Sequence, residues 1–301
     1  MNSPTSATEA INPRYCDLDA WDSNAVLQAM WEGQLAAAAA VQTALPAIAA
    51  AATAASARLA TGQGRLVYAG AGTSGRIGVQ DGAELPPTFN WPDDRLVLLM
   101  AGGTKAFTAA VENAEDDHAA ATAAIAAHAI SAADVVLGIA ASGSTPFTVA
   151  ILKAAAARGA LTIGVANAPG GLVLQAAAHP ILVETGAEVI AGSTRMKAGT
   201  AQKIVLNLFS SLLMVQLGRV HQGLMVDMQA RNEKLRRRAV HMLHHLTGIA
   251  DEATLHAALA AADGRVKTAV LLLHGLDRPE AETLLQRSGD KLRLVLKEIA
   301  R

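Results

Sequence analysis

Five short apolar runs, each followed by a helical stretch, constrain this chain more than any other feature. They read "RLVYAG" (65–70), "RLVLLMAG" (95–102), "DVVLGIA" (134–140), "LTIGVAN" (161–167) and "HPILVE" (179–184). A strand with one face in water alternates apolar and polar residues; a continuous apolar run belongs to a strand covered on both faces. Strands of that kind alternating with helices predict an α/β fold, with a parallel sheet between two helical layers (α/β/α). Upstream, residues 1 to about 20 look irregular. From about Ser23 to about Leu59 the pattern is helical, with Pro46 marking a break or a first-turn position. From Met196 onward the pattern is helical to the end. Gly248, Gly264, Gly275 and Pro279 punctuate residues 246–301 into three or so short helices, a small bundle. The chain thus divides into a helical segment (1–60), a sheet domain (61–222) and a C-terminal helical region with a three-helix bundle (223–301). No repeat at solenoid periods is visible.

Composition narrows the function classes. With 301 residues, 51% of them hydrophobic, the chain can bury a sizeable core. Only 3% are aromatic, too few for the stacking platforms of a single-strand nucleic-acid binder. A net charge of −1 gives no broad field toward nucleic acid or an anionic membrane. The single cysteine, Cys16, makes neither an intrachain disulfide nor a metal cluster. "MNSPTSATEA" has no basic or apolar region of a signal peptide, so the cytoplasm is the expected location. Leu35 to Ala60 is apolar, but it is mostly alanine and is interrupted by Gln42, Thr43 and Pro46. It reads as soluble helices rather than a membrane span.

The first run leads into "YAGAGTSGRIG" (68–78), where Gly70, Gly72 and Gly75 match the G-x-G-x-x-G fingerprint of dinucleotide folds. That fingerprint needs an acidic residue near the end of the second strand to hold ribose hydroxyls. Here that strand ends Leu99 to Thr104 with no carboxylate, and Asp93 and Asp94 lie at its wrong end. Two further loops share the texture, Ala141 to Pro146 ("ASGSTP") and Gly192 to Lys197 ("GSTRMK"). Each of the three leads into a helix. Singly, "SGST" and "GSTR" also read as ordinary helix caps. Together they offer backbone N–H groups, hydroxyl donors and helix N-termini, which suit a sugar phosphate better than a dinucleotide.

"GAGTSGRIG", "ASGSTP" and the strands between them resemble a sugar isomerase (SIS) domain. With "ELPPTF", "ENAED", "GIAASG", "GSTRMKAGTAQK" and "NEKL" in order from about Leu18 to about Leu296, the chain resembles the N-acetylmuramic acid 6-phosphate etherases. The resemblance implies a bacterial cytoplasmic lyase of cell-wall recycling. It implies release of D-lactate from C3 of the phosphosugar, a homodimer, and no metal or organic cofactor. In such a reaction the open-chain aldehyde at C1 acidifies the C2 proton. A base removes that proton, the C3 ether oxygen leaves as lactate, and water adds back at C3.

Candidate proton carriers are Glu84 and the cluster Glu112, Glu115, Asp116 and Asp117. Glu84 ends a helix, where the dipole disfavours a carboxylate and burial would raise its pKa. Charge patterning does not choose within the cluster. The resemblance implies Glu84 in "ELPPTF" and Glu115 in "ENAED", with Glu84 the better proton donor. It also implies that Ser142, Ser144 and Thr145 hold the phosphate. Gly72, Thr73 and Ser74 approach the sugar, and Ser193, Thr194 and Lys203 are further contacts. Arg76 and Arg195 suit either an anion of the substrate or structural ion pairs.

Three departures from the family pattern stand out. Ala83 and Leu85 flank Glu84 where relatives commonly have Ser and Cys. Ser144 stands where Arg is frequent. Trp31-Glu32-Gly33-Gln34 replaces an "NxED" segment. His241, His244 and His245 lie a helical turn apart, but no carboxylate or cysteine joins them nearby, and they read as a solvated or interface face. Arg236 to Arg238 read as a solvated stretch rather than a nucleic-acid patch. The competing readings are an aldose–ketose sugar-phosphate isomerase and a non-catalytic sugar-phosphate sensor like glucokinase regulatory protein.

Overall fold

The computed structural model of the chain describes residues 7–230 and 232–300. The first six residues of the polar N-terminal stretch lie outside it. The described residues form two compact units: those up to Ala83 together with Asp94–Ser210, and Glu84–Asp93 together with those from Ser211 onward.

The first unit holds the sheet. Strands β1 (Leu66–Gly70), β2 (Leu96–Met100), β3 (Val135–Ala140), β4 (Leu161–Ala166) and β5 (His179–Leu182) fall within the five apolar runs. All pairings are parallel, in the order β2-β1-β3-β4-β5. Leu66 pairs with Leu96 on one side and Val135 on the other. Successive side chains point to opposite faces. Val67, Ala69, Val97, Leu99 and Val136 join a core with Ile125, Phe147 and Ile151 of α5 (His118–Ala127) and α6 (Pro146–Ala156). Tyr68 and Ile139 point the other way, against glycines of α3 (Gly72–Ala83). Each fully buried Val, Leu or Ile contributes roughly 1.5–3 kcal/mol, so the two covered faces dominate the stability of this unit.

The N-terminal helical pattern resolves into α1 (Ser23–Ala40), a 3-10 turn (Val41–Ala44) and α2 (Leu45–Leu59). Asp22 caps α1, accepting from the backbone N–H of Asn24 at 3.0 Å and Ala25 at 3.2 Å. Pro46 occupies the first turn of α2, where its missing N–H costs nothing. The run Ser23–Leu59 is long and apolar enough to cross a membrane. The turn divides it, however, and α2 buries Ile48, Ala51, Ala52, Ala55 and Leu59 over β4 and β5. Among the described residues before α1 the helical elements are two short 3-10 turns, Pro13–Tyr15 and Leu18–Ala20, in keeping with the irregular reading.

Helix α8 (Lys197–Gln216) ends earlier than the helical reading from Met196 to the terminus allows. Gly218 and Gly223, at φ 78 and 77, open a non-helical stretch before α9 (Glu233–Thr247). Beyond Gly248 the described residues form four helices, where the sequence reading expects three or so: α10 (Glu252–Ala261), α11 (Val266–Leu273), α12 (Arg278–Arg287) and α13 (Leu292–Ile299). The break not read from sequence is Gly289, at φ 61 between α12 and α13. Asp251 and Asp277 cap α10 and α12 through the N–H groups of Thr254 and Glu280. Buried Lys267 lies 2.6 Å from Asp227 and 2.7 Å from Asp290. Short α4 (Leu85–Phe89) belongs to this unit, and Arg219 donates to the carbonyls of Phe89 and Asn90 at 2.7 and 2.8 Å.

A buried ion pair fastens the lower edge of the sheet. The Asp134 side chain is 1% exposed and 2.8 Å from Arg65, and it also accepts from the N–H groups of Arg65 and Ser131. Burial pushes the Asp134 carboxyl up, but the Arg65 guanidinium and these N–H donors outweigh it, leaving its pKa below the usual carboxylate value. A depressed folded-state pKa gives stability that is fully present above the unfolded value and lost as pH falls through the folded one. Asp134→Asn should cost about 1.5–3 kcal/mol at neutral pH, the range for hydrogen bonds to charged groups. Urea unfolding of both proteins between neutral and acid pH should show that gap narrowing; a constant gap would contradict the pairing.

Candidate functional site

The sheet order reverses at β1 and β3: the chain leaves β1 outward to β2 and returns to β3 on the other side. At such a switch point two adjacent strands send their loops in opposite directions and open a crevice. The loops that follow β1 and β3 are the first two glycine- and hydroxyl-rich loops.

In the first loop the glycines serve close approach. A Cβ on Gly75 would fall 2.4 Å from Met100 Sδ and 2.7 Å from the Gly70 carbonyl oxygen, and one on Gly70 would fall 2.8 Å from Gly75 Cα. The end of β1 and the start of α3 therefore touch backbone to backbone, which brings the α3 N-terminus to the strand end. The fingerprint match is real as geometry, although its second strand offers no ribose-binding carboxylate.

In the second loop Gly143 has φ +73, and a Cβ there would lie 3.0 Å from Gly171 Cα. The Ser144 N–H and hydroxyl both approach Ser142 Oγ, at 3.3 and 3.2 Å. Thr145 stands at the N-cap of α6 but makes no side-chain capping bond. Pro146 opens the helix with the residue best suited to that place. The simple capping reading therefore fails for Thr145.

It fails for the third loop as well. The α8 N-terminus is capped from ten residues away by buried Glu188, which accepts from the N–H groups of Lys197 at 2.9 Å and Ala198 at 3.0 Å. Ser193 and Thr194 are not needed as caps. Gly199 leaves room for the Thr194 carbonyl and Thr73 to come within 3.4 and 3.6 Å of its Cβ position. The third loop is thereby held beside the first.

The three loops share a cavity of about 320 Å³. Gly72, Thr73, Ser74, Ser142, Ser144, Thr145 and Thr194 line it, together with Glu115, Asp116 and Glu9. Ser193 and Lys203 lie outside that lining. The Ser193 N–H is bonded to the Ile190 carbonyl, and Lys203 is half-buried on α8. Among the described residues no lysine or arginine lines the cavity. An anion there must be held by hydroxyls, backbone N–H groups and the N-termini of α3 and α6.

The acidic cluster divides at Asn113, whose left-handed φ of 58 turns the chain. Glu115 and Asp116 face the loop cavity, while Glu112 and Asp117 line a neighbouring cavity of about 680 Å³ with Phe107 and His128. Asp117 also caps α5 through the Ala120 N–H at 2.8 Å. Arg76 is structural: it donates to the carbonyls of Ala106 at 3.0 Å and Ala109 at 3.2 Å, on the segment leading to this cluster. Arg195 is exposed. Glu84 lies in the second unit at the joint before α4, and it is exposed in the chain, so the burial entertained for it is not met. The variant N-terminal segment has structural partners: Glu32 pairs with Arg14 at 2.7 Å, and Gln34 accepts from the Thr200 hydroxyl. In the second unit His244 donates from Nδ1 to the Ile249 carbonyl at 2.7 Å. Glu9 was missed by sequence reasoning, since a lone glutamate in an irregular polar segment carries no periodicity or spacing.

A family model, the glucokinase regulatory protein N-terminal SIS domain, matches residues 48–156. Over 97% of its length, and 95% of the relative's, the chain is 49% identical to the N-acetylmuramic acid 6-phosphate etherase of Deinococcus radiodurans. The chain belongs to the N-acetylmuramic acid 6-phosphate etherase family. Etherases of Streptomyces avermitilis and Halalkalibacterium halodurans are 45% and 42% identical, each over 97% of this chain and over 94% and 98% of their own. These relatives support the etherase reading over the isomerase and sensor readings, and the SIS match agrees with the observed sheet.

If the Ser142–Thr145 loop holds the anion, removing its serine donors costs affinity. Each hydrogen bond to a charged group is worth about 1.5–3 kcal/mol. The Ser142→Ala, Ser144→Ala double variant should therefore bind a hexose 6-phosphate at least about 10-fold more weakly by calorimetry. Wild-type affinity would remove this loop from phosphate binding.

Proposed function

We propose that this chain cleaves the D-lactyl ether of N-acetylmuramic acid 6-phosphate by elimination and hydration, with Glu84 and Glu115 carrying the protons. It is an etherase, a carbon–oxygen lyase acting on a sugar phosphate in amino-sugar and peptidoglycan recycling. The observation that carries the residue assignment is that Glu115 opens on the same cavity as Ser142, Ser144 and Thr145. Of the other cluster members, Glu112 and Asp117 open elsewhere, while Asp116 shares the cavity and only the family resemblance prefers Glu115 to it.

The open-chain substrate presents its C1 aldehyde beside C2. A carboxylate takes the C2 proton, the released electron pair forms the C2–C3 double bond, and the C3–O bond breaks. The departing oxygen takes a proton and leaves as the lactate hydroxyl. Water then adds its oxygen to C3 while a proton returns to C2, giving N-acetylglucosamine 6-phosphate. Two carboxyls suffice, because each step takes one proton and gives one, and no step changes the overall oxidation state. Glu84 is the proton donor to the leaving oxygen, and Glu115 serves the C2 proton. Gly72, Thr73 and Ser74 approach the sugar, Ser142, Ser144 and Thr145 hold the phosphate, and Ser193, Thr194 and Lys203 are further contacts.

The protein works in the cytoplasm as a homodimer. Supporting the dimer is a stripe on α1 in which Leu27, Trp31 and Leu35, four residues apart, are 64%, 58% and 52% exposed. Side chains at that spacing share one helix face, and a second copy offers the same apolar face. Trp31→Glu should shift the mass measured by light scattering from two chains to one. An unchanged mass would move the interface elsewhere.

General acid–base groups contribute roughly 10²–10⁴-fold. Glu84→Gln and Glu115→Gln should each slow lactate release by about that factor while retaining product binding. Full activity in either variant would take that residue out of the mechanism.

A further inference from the structure

The geometry points to Glu9 as a third acidic member of the site, an acceptor for a neutral sugar hydroxyl supplied by the N-terminal segment. The inference rests on the etherase reading of this cavity. Glu9 lines the cavity together with Gly72, Ser144, Thr194 and Glu115. It follows Thr8, which is wholly buried, so the turn that carries it is anchored although Glu9 itself is exposed. Its carboxylate rests against the third loop. A Cβ on Gly192 would stand 2.8 Å from Glu9 Oε2, so the carboxylate lies directly against that backbone, whose φ of +73 itself favours glycine.

The chemistry follows from what shares the cavity. Glu9, Glu115 and Asp116 bring three carboxyl groups to the cavity, and no described lysine or arginine lines the wall. An ionised carboxylate only accepts hydrogen bonds. It repels a phosphate and attracts hydroxyls. The phosphate therefore belongs at the Ser142–Thr145 end and the sugar hydroxyls near Glu9. In this arrangement Glu9 contributes affinity for the sugar and fixes its direction, and takes no part in proton transfer.

The test is calorimetric binding of N-acetylglucosamine 6-phosphate and, separately, inorganic phosphate to the wild-type protein, Glu9→Gln and Glu9→Ala. Both variants should bind the phosphosugar at least about 10-fold more weakly, the loss of one charge-assisted hydrogen bond. They should bind inorganic phosphate as well as the wild type or better, since a repelling charge is gone. Equal weakening of both probes marks a purely structural role and overturns the proposal, as does unchanged phosphosugar affinity. Because neither probe turns over, these outcomes stand apart from the etherase reading, which fails if the wild type releases no lactate from N-acetylmuramic acid 6-phosphate.

Discussion

The contact on which the rest depends is the crossing of β1 and α3 at Gly70 and Gly75. No side chain fits there, since a Cβ on either glycine would lie under 3 Å from backbone of the other. That closeness starts α3 immediately at the strand end. Gly78 and Gly82 continue it, with Cβ positions 2.8 Å from Ile139 and Leu98, so the helix lies low over the sheet. With β3 adjacent to β1, the Ser142–Thr145 loop and the N-terminus of α6 open on the same crevice. Two helix N-termini and a set of hydroxyls converge because a strand and a helix can touch.

The electrostatics of the crevice bear on the proposal that one small space serves both a phosphate and acid–base chemistry. A helix N-terminus favours an anion by about 0.3–1 kcal/mol at the surface and up to ~2 kcal/mol when partly buried. Two unit charges 4 Å apart interact by about 4 kcal/mol near a protein surface. A carboxylate touching the phosphate would cancel both helices. An anion bound there would therefore sit away from the carboxyls, the arrangement that the proposed site requires. The turn at Asn113 completes this division, leaving Glu115 and Asp116 on the cavity and turning Glu112 and Asp117 away.

Much of this was legible in the sequence. Strands buried on both faces leave apolar runs, so all five were found, as was the parallel sheet. Hydroxyl-rich loops after such strands pointed to a sugar phosphate. What escaped had no local signature. Gly289 looked like any other glycine until its positive φ separated α12 from α13. Gly218 and Gly223 ended a helical pattern that composition alone would have continued. The α8 cap comes from Glu188 rather than the adjacent hydroxyls, because a tertiary carboxylate displaced the local candidates. Arg76 suited either a substrate anion or a structural ion pair, and its guanidinium instead donates to two carbonyls. Glu9 reaches the cavity from a segment with no periodicity at all.

The central claim is that lactate leaves by elimination across C2 and C3, followed by water addition. The most direct measurement is turnover of N-acetylmuramic acid 6-phosphate in deuterated water, followed by NMR. Elimination and hydration require lactate release together with deuterium at C2 of the N-acetylglucosamine 6-phosphate formed. Lactate release with the original proton retained at C2 would mean direct displacement at C3, and would contradict the account.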